Sequence, residues 1–171
     1  MKRMGMRGIT ILELMVVVLI CGILMSIGGF SVKSFIYRYG VERQVRELHA
    51  DLLNARGRAF EGNRRHFITV SSGSYQITED TNQNGGPAPD DGDTELWHSP
   101  KKFRSSSQWA GIIIMDTKGI VSVSSHPLLT NAALAIRFDT AGTDPFYDCI
   151  SLGPTRIVTG KWNGKKCELR G

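Results

Sequence analysis

Between residues 9 and 30 the chain is apolar except for one charged side chain, Glu13. A run of that length matches a helix that crosses a bilayer, which takes about 20 residues at about 1.5 Å each. It follows directly on a short leader, residues 1–8, that holds Lys2, Arg3 and Arg7. Positive charge ahead of an apolar run keeps that end on the cytoplasmic side. A carboxylate inside such a run costs about 2.5–3.5 kcal/mol on insertion scales, so it needs a partner and marks function. Two plainer readings stand beside this one. A secretory signal needs a small-residue cleavage site after its apolar core, and Gly28-Gly29-Phe30 is a poor one. A simple single-pass anchor accounts for the length and the leader charges, but not for Gly8 or Glu13.

The order basic leader, Gly8, then Ile9-Thr10-Ile11-Leu12-Glu13-Leu14 resembles the prepilin signal of type IV pilins and type II secretion pseudopilins. The resemblance implies that a membrane-embedded prepilin peptidase cuts between Gly8 and Ile9. Ile9 then becomes the new, usually N-methylated, terminus and Glu13 the fifth mature residue. In that family the glutamate pairs with the terminal amine of a neighbouring subunit in the filament. Opposite charges attract strongly in a low-dielectric medium, where each alone is badly solvated. This chain starts with Ile where many members have Phe. It also lacks the proline at which many kink, and Gly28 and Gly29 stand near that place as looser points.

The 171 residues suit one domain plus an anchor. The formal net charge of +5 is mostly a topology signal, because Lys2, Arg3 and Arg7 lie in the leader. There is no Gly-x-Ser-x-Gly, P-loop or His-Glu-x-x-His motif, and the four histidines follow no ligand pattern. The expectation is a protein that is not an enzyme.

Past the apolar run a helical pattern continues. Val32, Phe35, Ile36, Tyr39, Val45, Leu48, Leu52, Ala55 and Ala59 recur at spacings of three to four, with one gap. Arg38, Glu42, Arg43, Arg46, Glu47 and Asp51 fall mostly on the other side. Glu61-Gly62-Asn63 reads as the stop. The rest reads as β structure. Segments 66–70 and 74–78 flank one turn, and 110–116 and 120–124 flank another. Further strands are expected over 134–138, 146–152 and 155–162, with Asn163-Gly164 turning the chain into 165–169. The fold class expected is α+β and pilin-like: a long N-terminal helix, transmembrane in its first half, packed on a small antiparallel β-sheet head. The division expected is a leader over 1–8, a membrane segment over 9–30, the soluble half of the helix over 31–62 and a periplasmic β-rich head over 63–171.

A long helix followed by an all-β head most resembles FimT-like minor pilins and H-type minor pseudopilins. Ala135-Ile136-Arg137-Phe138-Asp139-Thr140-Ala141-Gly142 is similar to their apolar-Phe-Asp-x-x-Gly strand and turn, and residues 149–167 to their C-terminal hairpin. The topology puts Cys149 and Cys167 in an oxidising compartment. A disulfide between them is expected to contribute about 2–4 kcal/mol, against the alternative of two unrelated buried thiols. Cys21 reads as a small packing residue within the apolar run.

Two further segments carry candidate chemistry. Asp80, Asn82 and Asn84 alternate before Gly85, as oxygen donors do in an EF-hand-type loop that wraps calcium. Asp91 stands at the twelfth position, where that loop wants a bidentate Glu. The plain alternative is a solvated acidic loop with Pro87 and Pro89 as turn formers. The C-terminal segment offers Arg156, Lys161, Lys165 and Lys166 with Trp162 interleaved, a pattern suited to nucleic-acid phosphates and a stacked base. Some FimT-like pilins take up DNA through a Gly-Arg-x-Arg motif. Here Gly153-Pro154-Thr155-Arg156 keeps only its last arginine. The alternative is a charged edge hairpin that favours solubility.

The function expected is a minor pilin or pseudopilin: a bacterial inner-membrane, single-pass subunit with its head in the periplasm. It is processed by prepilin peptidase and joins other pilins or pseudopilins in a type IV pilus or type II secretion pseudopilus, for initiation, capping or adaptor work. The rival is a DNA-binding minor pilin at a pilus tip.

Overall fold

The computed structural model describes residues 9–86, 88–96, 99–124 and 134–169, without the side chains of 27–31. The chain is α+β, with one N-terminal helix and antiparallel sheets. Helix α1 runs Ile11–Gly62. It contributes to both of the units into which the chain divides, Met1–Ile36 and Tyr37–Gly171.

In the first unit α1 starts on a cap. Thr10 Oγ1 accepts the Glu13 amide at 3.2 Å, and Thr10 O accepts the Leu14 amide at 3.1 Å. Thr10-Ile11-Leu12-Glu13 therefore has the Thr-x-x-Glu spacing of a capping box. The apolar side chains that follow are exposed, Ile11 at 83% and Met25 at 78%. Among the described residues no helix is long and apolar enough to cross a membrane.

In the second unit α1 turns one stripe inward. Val41, Val45, Leu48, Leu52, Ala55 and Ala59, at alternating steps of four and three, are all buried. The stripe was expected from Val32, but Val32, Phe35, Ile36 and Tyr39 are exposed, so the buried face begins only at Val41. The helix ends at Gly62, and Asn63 takes the left-handed conformation (φ 49°) that closes many helices.

Ten strands follow. The first sheet contains β1 (His66–Val70), β2 (Ser74–Glu79), β3 (Thr94–Glu95), β4 (Lys101–Lys102), β5 (Gly111–Met115) and β6 (Val121–Val123). Its order is β3-β2-β1-β5-β6, and β4 shares the outer edge of β2 with β3. The second contains β7 (Leu134–Arg137), β8 (Cys149–Leu152), β9 (Ile157–Trp162) and β10 (Cys167–Leu169), in the order β10-β9-β8-β7. Both hairpins expected in the first sheet form. Ser71 closes one turn through Ser74, and Asp116 Oδ1 accepts the Lys118 and Ile120 amides at 2.9 and 2.7 Å in the other. Ile68, Val70, Ile77, Ile113 and Met115 from one sheet join Ile136, Ile150, Leu152 and Ile157 from the other in a single core with the α1 stripe.

Three strands are shorter than expected because backbone groups at their starts pair elsewhere. Glu42 Oε1 accepts the Phe146 amide at 2.7 Å, so β8 begins at Cys149. A turn closed by Gly153 N–H on Arg156 O at 2.7 Å delays β9 to Ile157. Asn163 Oδ1 accepts the Lys165 and Lys166 amides at 2.9 Å each, which delays β10 to Cys167.

Candidate functional site

The pair expected to be processed, Gly8 and Ile9, divides between described and undescribed residues. Gly8 lies outside the described residues. Ile9 is exposed and α1 starts two residues after it. Glu13 is exposed in the first turn, where a carboxylate also suits the positive end of the helix dipole. Cys21 is a free, exposed thiol on the same stretch.

Loop 80–93 between β2 and β3 is organised around Asp90. Asp90 Oδ1 accepts Asn82 Nδ2 at 2.7 Å and the Gly92 amide at 2.9 Å, while Asn84 Nδ2 donates to Asp90 Oδ2. These donors, the Gly92 amide foremost, hold the Asp90 carboxyl below its ordinary range. The Asn82 and Asn84 side-chain oxygens accept the backbone amides of Asn84 and Gly86, at 3.0 and 2.9 Å. Of the expected calcium ligands, then, the two asparagines converge on Asp90, whereas Asp91 is exposed and Asp80 is buried. Among the described residues no group of three or more His, Cys, Asp or Glu is placed to hold a metal.

The expected cationic hairpin is not one patch. Arg156 lies in the turn before β9, and Lys165 and Lys166 lie in the turn after it. Six residues of strand separate them, about 20 Å at about 3.3 Å each. Lys161 is engaged within the protein: its Nζ is 2.7 Å from Asp144 Oδ1 and 3.2 Å from Asp148 Oδ2, and donates to Pro145 O at 2.8 Å. One face of Trp162 carries the Arg137 guanidinium, 5.4 Å from the ring centroid. Arg156 and the two turn lysines are exposed, but no described geometry gathers them on one ligand.

Cys149 and Cys167 form a disulfide with Cα atoms 5.9 Å apart. They stand on β8 and β10, the two neighbours of β9, and Gly160 on β9 pairs with Cys149 and with Leu169. A Cβ on Gly160 would lie 2.9 Å from Cys167 Sγ and still closer to the Glu168 carbonyl oxygen. Glycine at 160 is what lets the bridge cross the middle strand, a requirement with no local signal in the sequence.

Sequence reasoning also missed three polar side chains of α1 that hold the head together. Glu42, expected on the outer side, is buried at 8% exposure and takes the Phe146 amide. Gln44 is buried as well: its Oε1 accepts the Arg104 and Ser105 amides at 2.7 and 2.9 Å, and its Nε2 donates to Ser105 O at 3.0 Å. Asp51 accepts the Tyr75 hydroxyl and lies 2.7 Å from Lys101 Nζ. Burial, and then the Asp51 carboxylate, push the Tyr75 phenol far above its ordinary pKa. Comparison with protein-family models, curated proteins and solved structures finds no match to the chain.

Proposed function

We propose that this chain is a minor pilin or pseudopilin, a non-catalytic filament subunit held in the inner membrane by residues 9–30 until assembly. The observation that carries the proposal is the run of exposed apolar side chains that opens α1, with Glu13 as its one charge, behind a basic leader ending in Gly8. Water does not tolerate such a surface, since each buried methylene gains about 0.8 kcal/mol. Lipid, and then neighbouring copies of the same helix, are what would cover it. The proposed span continues to residue 30, past the described side chains. The helix starting two residues after Ile9 supports the reading, because a cut after Gly8 leaves a terminus that leads directly into it.

In this mechanism Glu13 sets register by pairing with the terminal amine of the next protomer, and the apolar run supplies packing. The β-rich head presents the outer surface, as initiator, cap or adaptor. The test is the terminus of the native protein. Chain purified from membranes is expected to begin at Ile9 and to resist alkaline extraction before assembly. Protein that begins at Met1 and is released by alkali would overturn the proposal.

A further inference from the structure

Strands β2 and β3 pair Thr78 with Glu95 and Glu79 with Thr94. The next positions outward, Asp80 and Asp93, therefore stand opposite each other at the mouth of the loop. Residues directly opposite in an antiparallel pair have Cβ atoms about 4.5–5.5 Å apart, and like charges so placed repel. Alternation along β2 sends Glu79 the other way, to Arg64 at 2.8 Å. Asp80 is only 2% exposed, and its Oδ1 is buried without a hydrogen-bond partner. Asp93 Oδ1 is in the same condition, while Asp93 Oδ2 accepts the Asp90 amide at 2.9 Å. Among the described residues no ion pair involves either carboxylate. Each of the two facing carboxylates thus has one buried oxygen without a hydrogen-bond donor, an arrangement that burial alone disfavours.

We propose that Asp80 and Asp93 are the two carboxylate ligands of a calcium ion that closes the base of this loop. The neighbouring sequence offers hard oxygen: carboxylates, the Asn82 carboxamide and backbone carbonyls. Calcium takes six to eight such oxygens in flexible geometry and accepts water among them, so two carboxylates suffice as the charged part of the shell. Asp90 organises the loop through Asn82 and Asn84, and Asp91 takes no part. This inference does not depend on the filament reading.

The test uses the full chain in detergent micelles, titrated calorimetrically with CaCl2 and separately with MgCl2, and melted in calcium or in EGTA. Calcium is expected to bind once per chain and, at about 1 mM, to raise the head's melting temperature by about 5 °C or more. Asp80→Asn and Asp93→Asn are each expected to weaken binding by about tenfold or more, while Asp91→Asn binds as wild type. In EGTA the two ligand variants are expected to melt no lower than wild type, because each removes a like-charge contact. No calcium heat with an unchanged melting temperature overturns the proposal. So does wild-type affinity in Asp93→Asn, or a magnesium response equal to that of calcium.

Discussion

His66 sits in the core face of β1, 1% exposed, with its Nδ1 3.3 Å from Arg64 O and its Nε2 4.0 Å from Glu79 Oε2. Burial lowers its pKa below 6.5, against the opposing pull of the Arg64 carbonyl and Glu79. Between that lowered value and 6.5 the unfolded chain binds more protons than the folded one, so stability rises with pH there. Acidification from about pH 7 to pH 5 is expected to lower the melting temperature, with a limiting slope of about 1.4 kcal/mol per pH unit from this group. His66→Gln should flatten that part of the profile, and an unchanged slope would assign the effect elsewhere. Gly160 offers a second test at this scale. The obstruction to a side chain there is partly β10 backbone, which cannot rotate away. Gly160→Ala is expected to cost about 1–3 kcal/mol in denaturant unfolding and to raise the fraction of reactive thiol at Cys149 and Cys167. Wild-type stability with no new thiol would show that β10 yields.

Among the elements, α1 and the turns were legible and the long crossings were not. The alternating buried stripe from Val45 to Ala59, the Asn63 stop and the Asn163-Gly164 turn rest on local periodicity and local backbone preference, which neighbouring residues display directly. Glu42, Gln44 and Asp51 look like solvent residues in that pattern because their partners lie far off in sequence, at Phe146, Ser105 and Lys101. Likewise β3 and β4, two residues each, exist only as additions to the edge of β2 and carry no signal of their own. In loop 80–93 the alternation of Asp80, Asn82 and Asn84 is a local pattern, read directly from neighbouring residues. Which acid faces Asp80 is not local: register across β2 and β3 puts Asp93 opposite it rather than Asp91. Gln44 gives the sharpest test of these distant contacts. Gln44→Leu leaves the amides of Arg104 and Ser105 and the Ser105 carbonyl without their partner, an expected loss of about 2–3 kcal/mol. Hydrogen exchange should accelerate first at residues 104 and 105. Protection unchanged at those two amides would count against the helix as their anchor.

For the molecule as a whole, Glu13 has two physical roles that pull apart experimentally. As the third residue after the Thr10 cap it stabilises the start of α1, where cap and dipole together contribute about 1–2 kcal/mol. As a carboxylate near the start of an apolar run it meets a cost that reaches about 2.5–3.5 kcal/mol only at the centre of a span. The cap therefore offsets part of that cost, and a neighbour's amine is what the filament proposal adds. Thr10→Ala removes the cap and keeps the charge, whereas Glu13→Gln removes the charge and keeps a side chain that suits a capping box. If pairing with a neighbour governs assembly, Glu13→Gln enters filaments poorly although its leader is still cut, and Thr10→Ala enters nearly as wild type. If the start of the helix governs it, the order reverses. Sheared filaments, quantified for the subunit against its membrane pool in each variant, separate the two. Equal incorporation of both variants would remove Glu13 from the assembly mechanism and leave the apolar run to act by packing alone.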